Sequence, residues 1–219
     1  MSDFHSDIEG NATTGEDARQ AERAALMMRH AKVVCQSGQY LCMIRDVSEL
    51  GVGLVFLHEV PPEERIILQL ANDHTYPIER VWCGKRQSGY RFGCEMDVEE
   101  FIEEQSAHEK RALRVKSPGE VRIVEGRTTT TGQLLDLSCE GAKFAADTKH
   151  VPQRLLSFEV DGLPPQLGQI RWQEGGCFGV KFQHPLSAEE LAACLLHLQP
   201  YAQSEPCEYT SLLSKACAA

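Results

Sequence analysis

Two short segments of the chain carry an aspartate, a serine and a glycine in the same pattern, D-x-S-x-x-G. They span residues 46–51 and 136–141, so the second follows the first after 90 residues. A carboxylate accepts hydrogen bonds from N–H groups, a hydroxyl supplies a neutral hydrogen bond, and a glycine lets the backbone pass close to a ligand. The same residue types also build turns without any ligand, and the sequence leaves both interpretations open. The residues are Asp46, Ser48 and Gly51 in the first segment and Asp136, Ser138 and Gly141 in the second.

Basic residues precede each of these segments at a spacing of four. Arg19 and Arg23 precede the first, and Lys110 and Arg114 precede the second, with Arg111 beside Lys110. A guanidinium group binds phosphate oxygens through paired hydrogen bonds, so this chemistry suits a small anionic ligand. The residues around Arg19 and Arg23 are good helix formers. On a helix the two arginines share one face. The alternative to ligand binding is that this face is an ordinary solvent-exposed surface.

The offset of 90 residues recurs in other landmarks, which indicates an internal repeat. The two tryptophans, Trp82 and Trp172, are 90 residues apart. The run at 91–95 (RFGCE) is matched with the run at 178–182 (FGVKF). We therefore expect two copies of one domain of about ninety residues, with both tryptophans serving as core anchors rather than ligand platforms.

Short β-rich runs separated by turn residues fill both copies and predict a mainly β fold, with a small barrel or sandwich in each. Helices are predicted at 98–108 and at 187–198, the second with Ser187 as its N-cap. The predicted boundaries are a disordered N-terminus at 1–15, a first domain with its linker helix at 16–108, a second domain with its C-terminal helix at 109–203, and a flexible tail at 204–219.

The composition argues against several classes of partner. A formal net charge of −10 disfavours nucleic acid and anionic membrane surfaces, because phosphate binding needs an excess of Lys and Arg. The sequence contains no run of about 18 apolar residues. Its polar start lacks the basic segment followed by an apolar segment that is typical of a signal peptide. We therefore expect a cytoplasmic protein without membrane insertion.

The chain shows no pattern typical of a metal centre or an active site. Its nine cysteines are odd in number and include no C-x-x-C pair, so we expect neither disulfides nor a zinc site. We expect most of the cysteines to behave as small buried hydrophobic residues. The eight histidines are scattered along the chain. The catalytic motifs of hydrolases, metalloproteases and P-loop enzymes are absent from the sequence. We expect no metal, no cofactor and no enzymatic activity.

Together, the R-x-x-x-R and D-x-S-x-x-G patterns resemble those of the PilZ family, bacterial receptors for cyclic di-GMP. Weaker marks of that family are matched by Val81-Trp82 and residues 90–93 in the first copy, and by Trp172 and residues 179–182 in the second. The resemblance covers roughly residues 16–185. It implies two PilZ-like six-stranded β-barrels in tandem, each followed by a helix.

The resemblance also implies a ligand set, which in the first copy is Arg19, Arg23, Asp46, Ser48 and Gly51. The arginines would bind phosphates and stack on guanine, and the aspartate would accept hydrogen bonds from guanine N–H groups. A second site would comprise Lys110, Arg111, Arg114, Asp136, Ser138 and Gly141. We expect this second site to be the weaker one, because Lys110 stands where the family motif has an arginine. A lysine cannot form the paired hydrogen bonds of a guanidinium group or stack flat on a base.

These observations predict a signalling receptor or adaptor that binds cyclic di-GMP and then changes its conformation or its partner binding. Its partners would be the nucleotide and an unidentified protein effector, with homodimerisation left open. The alternative is a degenerate PilZ tandem that works through protein contacts without binding a nucleotide. A third interpretation is a subunit that regulates a catalytic partner, such as a polysaccharide synthase.

Overall fold

The computed structural model of the chain describes residues 28–103, 112–147 and 154–201. Within these ranges the strands form two closed barrels, each built from six antiparallel strands. A short helix follows each barrel along the chain. The prediction of a mainly β fold with two six-stranded barrels in tandem is therefore confirmed.

The first barrel is built around large buried side chains. Its elements are β1 (Arg29–Val34), β2 (Gln39–Ser48), β3 (Gly51–Phe56), β4 (Arg65–Gln69), β5 (Thr75–Cys83) and β6 (Gln87–Phe92), followed by α1 (Val98–Glu103). Around the barrel the strands run in the order β1-β2-β3-β6-β5-β4. Tyr40 and Phe56 are fully buried inside, and Phe101 anchors α1 against Phe92 with ring centroids 6.1 Å apart. The apolar side of α1, which carries Phe101, thus belongs to this core.

The second barrel repeats this plan with a core of its own. Its elements are β7 (Val115–Glu125), β8 (Thr128–Ser138), β9 (Gly141–Ala145), β10 (Leu155–Val160), β11 (Gln166–Glu174) and β12 (Cys177–Phe182), followed by α2 (Ala188–Leu198). The strand order is β10-β11-β12-β9-β8-β7. Phe144 stacks on Phe178 with ring centroids 5.0 Å apart. Offset aromatic stacking of this kind adds to the stabilisation that burial of both rings provides.

The strand register repeats at an offset of 90 residues. Ser48 pairs with Gly51 as Ser138 pairs with Gly141. Trp82 pairs with Gly89, and Trp172 pairs with Gly179. The repeat predicted from the sequence is confirmed, but one of its matches was wrong. The register makes Gly179 the counterpart of Gly89, so residues 178–182 correspond to 88–92 rather than to 91–95.

The C-terminal helix begins and ends where the sequence predicted. The Ser187 hydroxyl accepts a hydrogen bond from the Glu190 N–H at 3.1 Å, and the Glu190 carboxylate accepts one from the Ser187 N–H at 2.8 Å. This reciprocal capping box satisfies two N–H groups that the helix itself cannot pair. Leu191 and Leu195 are buried against the second barrel. The described part of α1 ends at Glu103, and the rest of the helix predicted at 98–108 lies outside the described residues.

The two barrels contact each other through β1 and β2 of the first and β7 and α2 of the second. Leu41 of β2 is buried in the core of the second barrel. The Lys32 ammonium donates a hydrogen bond to the Arg114 carbonyl at 2.7 Å, and burial lowers the pKa of Lys32. The Lys116 N–H donates to the Gln39 side-chain oxygen at 2.9 Å. The segment that carries Arg114 is therefore held by the first barrel.

His58 is a buried histidine that makes the fold sensitive to acid. It is 7% exposed, and its Nδ1 lies 2.7 Å from the Glu59 carbonyl and 2.9 Å from the Tyr201 hydroxyl. Burial lowers the pKa of His58 below its ordinary value of 6.5. The unfolded chain therefore takes up a proton at a higher pH than the folded chain. Stability from this residue is present above about pH 6.5 and is lost as the pH falls below it.

We expect His58→Gln to remove this part of the pH dependence. Urea unfolding at about pH 7 and about pH 5 would measure it, as the change in free energy of unfolding between the two conditions. His184→Gln is a matched control, because His184 is exposed. An equally steep loss of stability in His58→Gln and in the wild type would contradict this assignment.

Candidate ligand-binding site

A β-bulge places the acidic residue of the first motif on the outer surface of the first barrel. The pairing of β2 with β3 is interrupted between Ile44 and Asp46, so Arg45 is the extra residue of the bulge. A bulge shifts the alternation of side chains between the two faces of a strand. Ile44 and Val47 both point into the core, and Arg45 and Asp46 lie between them on the outside. The second barrel has the same interruption before Asp136.

A second bulge turns each tryptophan outward. The register of β5 against β6 shifts just before Trp82, and that of β11 against β12 shifts just before Trp172. Ile78 and Ile170 point inward, and in strands without a bulge Trp82, four positions later, and Trp172, two positions later, would also do so. Instead Trp82 is 45% exposed and Trp172 is 41% exposed. The prediction that the tryptophans are core anchors was therefore wrong.

Four residues line up across β2, β3, β6 and β5 and form a shelf on the first barrel. Asp46 pairs with Gly53, Gly53 with Gly89, and Gly89 with Trp82. A Cβ atom on Gly53 would lie 2.5 Å from Asp46 Oδ1, and one on Gly89 would overlap the Trp82 indole. The two glycines thus let the flanking side chains lie over bare backbone. We call Asp46, Gly53, Gly89 and Trp82 the shelf.

A cavity of about 380 Å³ opens over the shelf. The three predicted site residues Asp46, Ser48 and Gly51 all line this cavity. Val81, 59% exposed, joins Trp82 in making one side of it apolar. A volume in the range of about 300–1,000 Å³ is typical of small-molecule sites. The cavity offers a carboxylate acceptor at one end and an aromatic face at the other.

Ser48 and Gly51 also have a purely structural role in the turn between β2 and β3. The Ser48 hydroxyl donates to the Gly51 carbonyl at 3.4 Å, and the Ser138 hydroxyl donates to the Gly141 carbonyl at 3.0 Å. Ser138 is fully buried, whereas Ser48 is half-buried beside the cavity. The longer bond and the greater exposure leave the Ser48 hydroxyl more available to a ligand.

Two guanidinium groups line the cavity within the described part of the chain. The Arg45 Nε donates to Asp46 Oδ2 at 2.6 Å, and its Nη1 donates to the Gln87 side chain at 2.9 Å. The Arg91 Nη2 donates to Glu79 Oε2 at 2.6 Å. The hydrogen bond from Arg91 lowers the pKa of the Glu79 carboxyl. The local charge around the motif is therefore cationic as well as anionic, within a chain whose net charge is −10.

The second barrel carries the same motif in a different setting. Arg114 Nη1 lies 2.8 Å from Asp136 Oδ1, so the structure joins two of the predicted site residues in an ion pair. Lys143 occupies the register position that Gly53 has in the first barrel. Its Nζ lies 5.8 Å from the centroid of the Trp172 ring. A lysine side chain thus reaches toward the tryptophan from a position that carries no side chain in the first barrel.

Four predicted cations lie outside the described residues. They are Arg19, Arg23, Lys110 and Arg111. Their assignment to the ligand site stays a prediction, as do the disordered N-terminus at 1–15 and the flexible tail at 204–219.

Sequence reasoning missed several residues of the site. Arg45 was overlooked because a neighbour of Asp46 in a regular strand would face the opposite way. Gly53 and Lys143 lie two residues beyond the motif glycine, where the two copies differ. Comparing the copies beyond that glycine is the signal that would have identified both residues.

Other features of the described residues lie away from the motif. A larger cavity of about 760 Å³ opens among Ile66, Ile78 and Phe92, and none of the predicted site residues lines it. Within 28–103, 112–147 and 154–201, no group of three or more His, Cys, Asp or Glu side chains is arranged to hold a metal ion. None of the helices in those ranges has the length and apolar character needed to cross a bilayer.

Several solved structures of bacterial proteins are similar to this chain. Borreliella burgdorferi PlzA in complex with c-di-GMP is 14% identical, covering 78% of this chain and 88% of that one, with a TM-score of 0.33. The inhibitor of motility MotI/DgrA of Bacillus subtilis is 9% identical, covering 86% and 98%, with a TM-score of 0.35. YcgR from Escherichia coli in complex with c-di-GMP is 10% identical, covering 87% and 86%, with a TM-score of 0.29. No curated protein sequence matches this chain.

The family assignment rests on the sequence match to a family of domains. The PilZ domain matches the chain twice in tandem, over residues 17–109 and over residues 104–198. The two matches together span most of the chain, and each contains one of the six-stranded barrels. The chain therefore belongs to the PilZ domain family.

Proposed function

We propose that this chain is a signalling receptor that binds cyclic di-GMP on the shelf of its first barrel. The observation that supports this most is the open cavity in which Asp46, Ser48 and Gly51 face an exposed Trp82. Cyclic di-GMP has two guanine bases and two phosphodiester charges, so it needs acceptors for guanine N–H groups, a flat apolar surface and cations. Each of these chemical groups is present around the cavity.

The shelf provides two ways of holding a guanine base. The Asp46 carboxylate accepts hydrogen bonds, and guanine presents N–H donors on its Watson–Crick edge. The Trp82 indole is exposed over Gly89 and offers a face on which a base can stack. Stacking of a base on an aromatic side chain contributes about 1–3 kcal/mol. Because Gly53 and Gly89 carry no side chains, no third side chain stands between the Asp46 carboxylate and the Trp82 indole.

The phosphates would be bound by guanidinium groups at the rim of the cavity. Arg45 and Arg91 are the described candidates, and Arg19 and Arg23 are the candidates that the family motif adds. Arg45 is already paired with Asp46, and the two side chains are 35% and 30% exposed. An ion pair of this exposure contributes little net stability, so a ligand can take over either partner at small cost.

Binding would be transmitted to a protein effector through a change in conformation. The segment that carries Arg114 lies at the contact between the barrels, where Lys32 and Gln39 hold its backbone. A nucleotide can shift that contact only by preferring one arrangement over another. We place this role in the cytoplasm and regard it as binding rather than catalysis.

Isothermal titration calorimetry of the full chain with cyclic di-GMP tests the proposal. We expect binding at micromolar nucleotide concentrations. Cyclic di-AMP is the matched control, because adenine lacks the guanine N2 amino donor that Asp46 would read. We expect it to bind at least about tenfold more weakly, the loss of one hydrogen bond to a charged acceptor. An absence of heat with cyclic di-GMP at these concentrations would contradict the receptor proposal.

A protein-interaction module without nucleotide binding is the second candidate. Both motif aspartates are already paired with arginines, Asp46 with Arg45 at 2.6 Å and Asp136 with Arg114 at 2.8 Å. In that case the motifs would serve only the turns and the ion pairs of the barrels. The same calorimetry separates the two candidates, since this module would bind neither nucleotide.

A further inference from the structure

Positions 53 and 143 occupy the same place in the two barrels. Gly53 lies between Asp46 and Gly89 in the cross-strand register, and Lys143 lies between the corresponding residues of the second barrel. The shelf therefore has a counterpart on the second barrel that differs from it at this one central position. Asp136, Gly179 and Trp172 complete that counterpart.

In the first barrel the absence of a side chain at position 53 leaves room on the floor of the shelf for the Asp46 carboxylate. The space beside Gly53 is already taken by the Asp46 carboxylate, whose Oδ1 would lie 2.5 Å from a Cβ atom. Asp46 therefore rests on the floor rather than above a neighbouring side chain. The distance from this carboxylate to the Trp82 face is spanned only by glycine backbone.

In the second barrel the side chain of Lys143 crosses the floor toward the indole. Its ammonium lies 5.8 Å from the Trp172 ring centroid, within the range of a cation–π contact. An ammonium over the ring face occupies the surface on which a base would stack. Displacing it costs the cation–π contact before any base can stack there.

We infer that this single position decides which barrel accepts the nucleotide. This inference rests on the proposed function. Gly53 admits a guanine to the shelf of the first barrel, and Lys143 excludes it from the second. The chain would then bind nucleotide on one barrel, although both barrels carry the D-x-S-x-x-G motif.

Gly53→Lys in the full chain tests the first half of the inference. We expect it to weaken cyclic di-GMP binding by about tenfold or more, the loss expected when one base no longer stacks. Gly93→Lys is the matched control. It adds the same charge where a Cβ atom meets nothing within 4 Å, and Gly93 does not line the cavity over the shelf. Calorimetry measures affinity, and thermal midpoints establish that both variants fold.

Lys143→Gly tests the second half and does not depend on Gly53→Lys folding. We expect it to raise the number of nucleotides bound per chain, whereas Lys143→Met keeps the bulk over Trp172 and should not. A readout without nucleotide is acrylamide quenching of Trp172 fluorescence in a Trp82→Phe background. We expect quenching to increase in Lys143→Gly because the face of the Trp172 ring is then uncovered.

The outcomes separate this inference from the proposed function. If the wild type binds cyclic di-GMP and Gly53→Lys binds equally well, the inference is overturned and the receptor proposal stands. Unchanged stoichiometry and unchanged quenching in Lys143→Gly would overturn it in the same way. If the wild type does not bind cyclic di-GMP, the proposed function fails and the inference falls with it.

Discussion

Replacing Gly141 by alanine is expected to lower the free energy of unfolding of the second barrel by about 3 kcal/mol. A Cβ atom on Gly141 would overlap the carbonyl oxygen of Val180 on the neighbouring strand β12. The backbone fixes the position of a Cβ atom, and Val180 belongs to the paired strand β12, so no side-chain rotation relieves the overlap. Denaturant unfolding measures the effect. Trp172 fluorescence in a Trp82→Phe background monitors it, so that the signal comes from the second barrel alone.

Two further glycine variants calibrate this result. Gly51→Ala should be less damaging, because its Cβ atom would lie 2.6 Å from the Tyr90 carbonyl oxygen, less close than the overlap at Gly141. Gly93→Ala should leave stability nearly unchanged, since a Cβ atom there meets nothing within 4 Å. A Gly141→Ala protein as stable as Gly93→Ala would contradict the close approach of β9 and β12.

The glycine of the motif is thus required by the fold in both barrels. Gly51 and Gly141 sit where the carbonyl of the adjacent strand leaves no room for a side chain. The fold explains both glycines without a ligand, so the nucleotide proposal must be tested by substituting Asp46 instead.

Asp46→Asn is expected to weaken cyclic di-GMP binding by about tenfold or more. A hydrogen bond to a charged acceptor contributes about 1.5–3 kcal/mol, and 1.4 kcal/mol corresponds to a factor of ten. Asparagine keeps the shape of the side chain but presents an amide N–H group where one carboxylate oxygen was. Calorimetry of the full chain with cyclic di-GMP measures the change in affinity.

Asp136→Asn is the matched control for this substitution. Its carboxylate is only 18% exposed and is paired with Arg114, and Lys143 spans the surface beside it. We therefore expect its affinity for cyclic di-GMP to stay within about threefold of the wild type. Equal losses in the two variants would contradict the assignment of the nucleotide to the first barrel.

Repetition and alternation in the sequence were sufficient to predict two copies of a small, mainly β domain, and the resemblance to the PilZ family added the six-stranded barrels. The motif pair at residues 46–51 and 136–141 set the repeat length, and the strand registers follow that same offset through both barrels. The N-cap at Ser187 was predictable because a serine followed three residues later by a glutamate satisfies the N–H groups of a helix start. The domain boundaries at 16–108 and 109–203 stay predictions.

The bulges are what the sequence could not reveal. A regular strand with Ile78 inside would bury Trp82, and only the extra residue at position 81 turns that tryptophan outward. The bulge in β2 likewise brings Arg45 to the same side as Asp46. Alternation patterns carry no mark of a single inserted residue, so Trp82 was assigned to the core and Arg45 was overlooked.

The direct contacts between motif residues also depend on tertiary structure. The pairing of Arg114 with Asp136 joins the end of one segment to a strand 22 residues later, as the resemblance implied they would be near. The approach of Lys143 to Trp172 joins β9 to β11 through their common neighbour β12. No spacing along the chain predicts a contact of that kind.

The central claim is that a guanine of cyclic di-GMP lies against Trp82 on the first barrel. The chain has only two tryptophans, so its NMR spectrum contains two indole N–H signals, which Trp82→Phe and Trp172→Phe would assign. Titration with cyclic di-GMP should shift the Trp82 signal to saturation and leave the Trp172 signal in place. A shift confined to Trp172, or saturable binding that moves neither signal, would contradict the account.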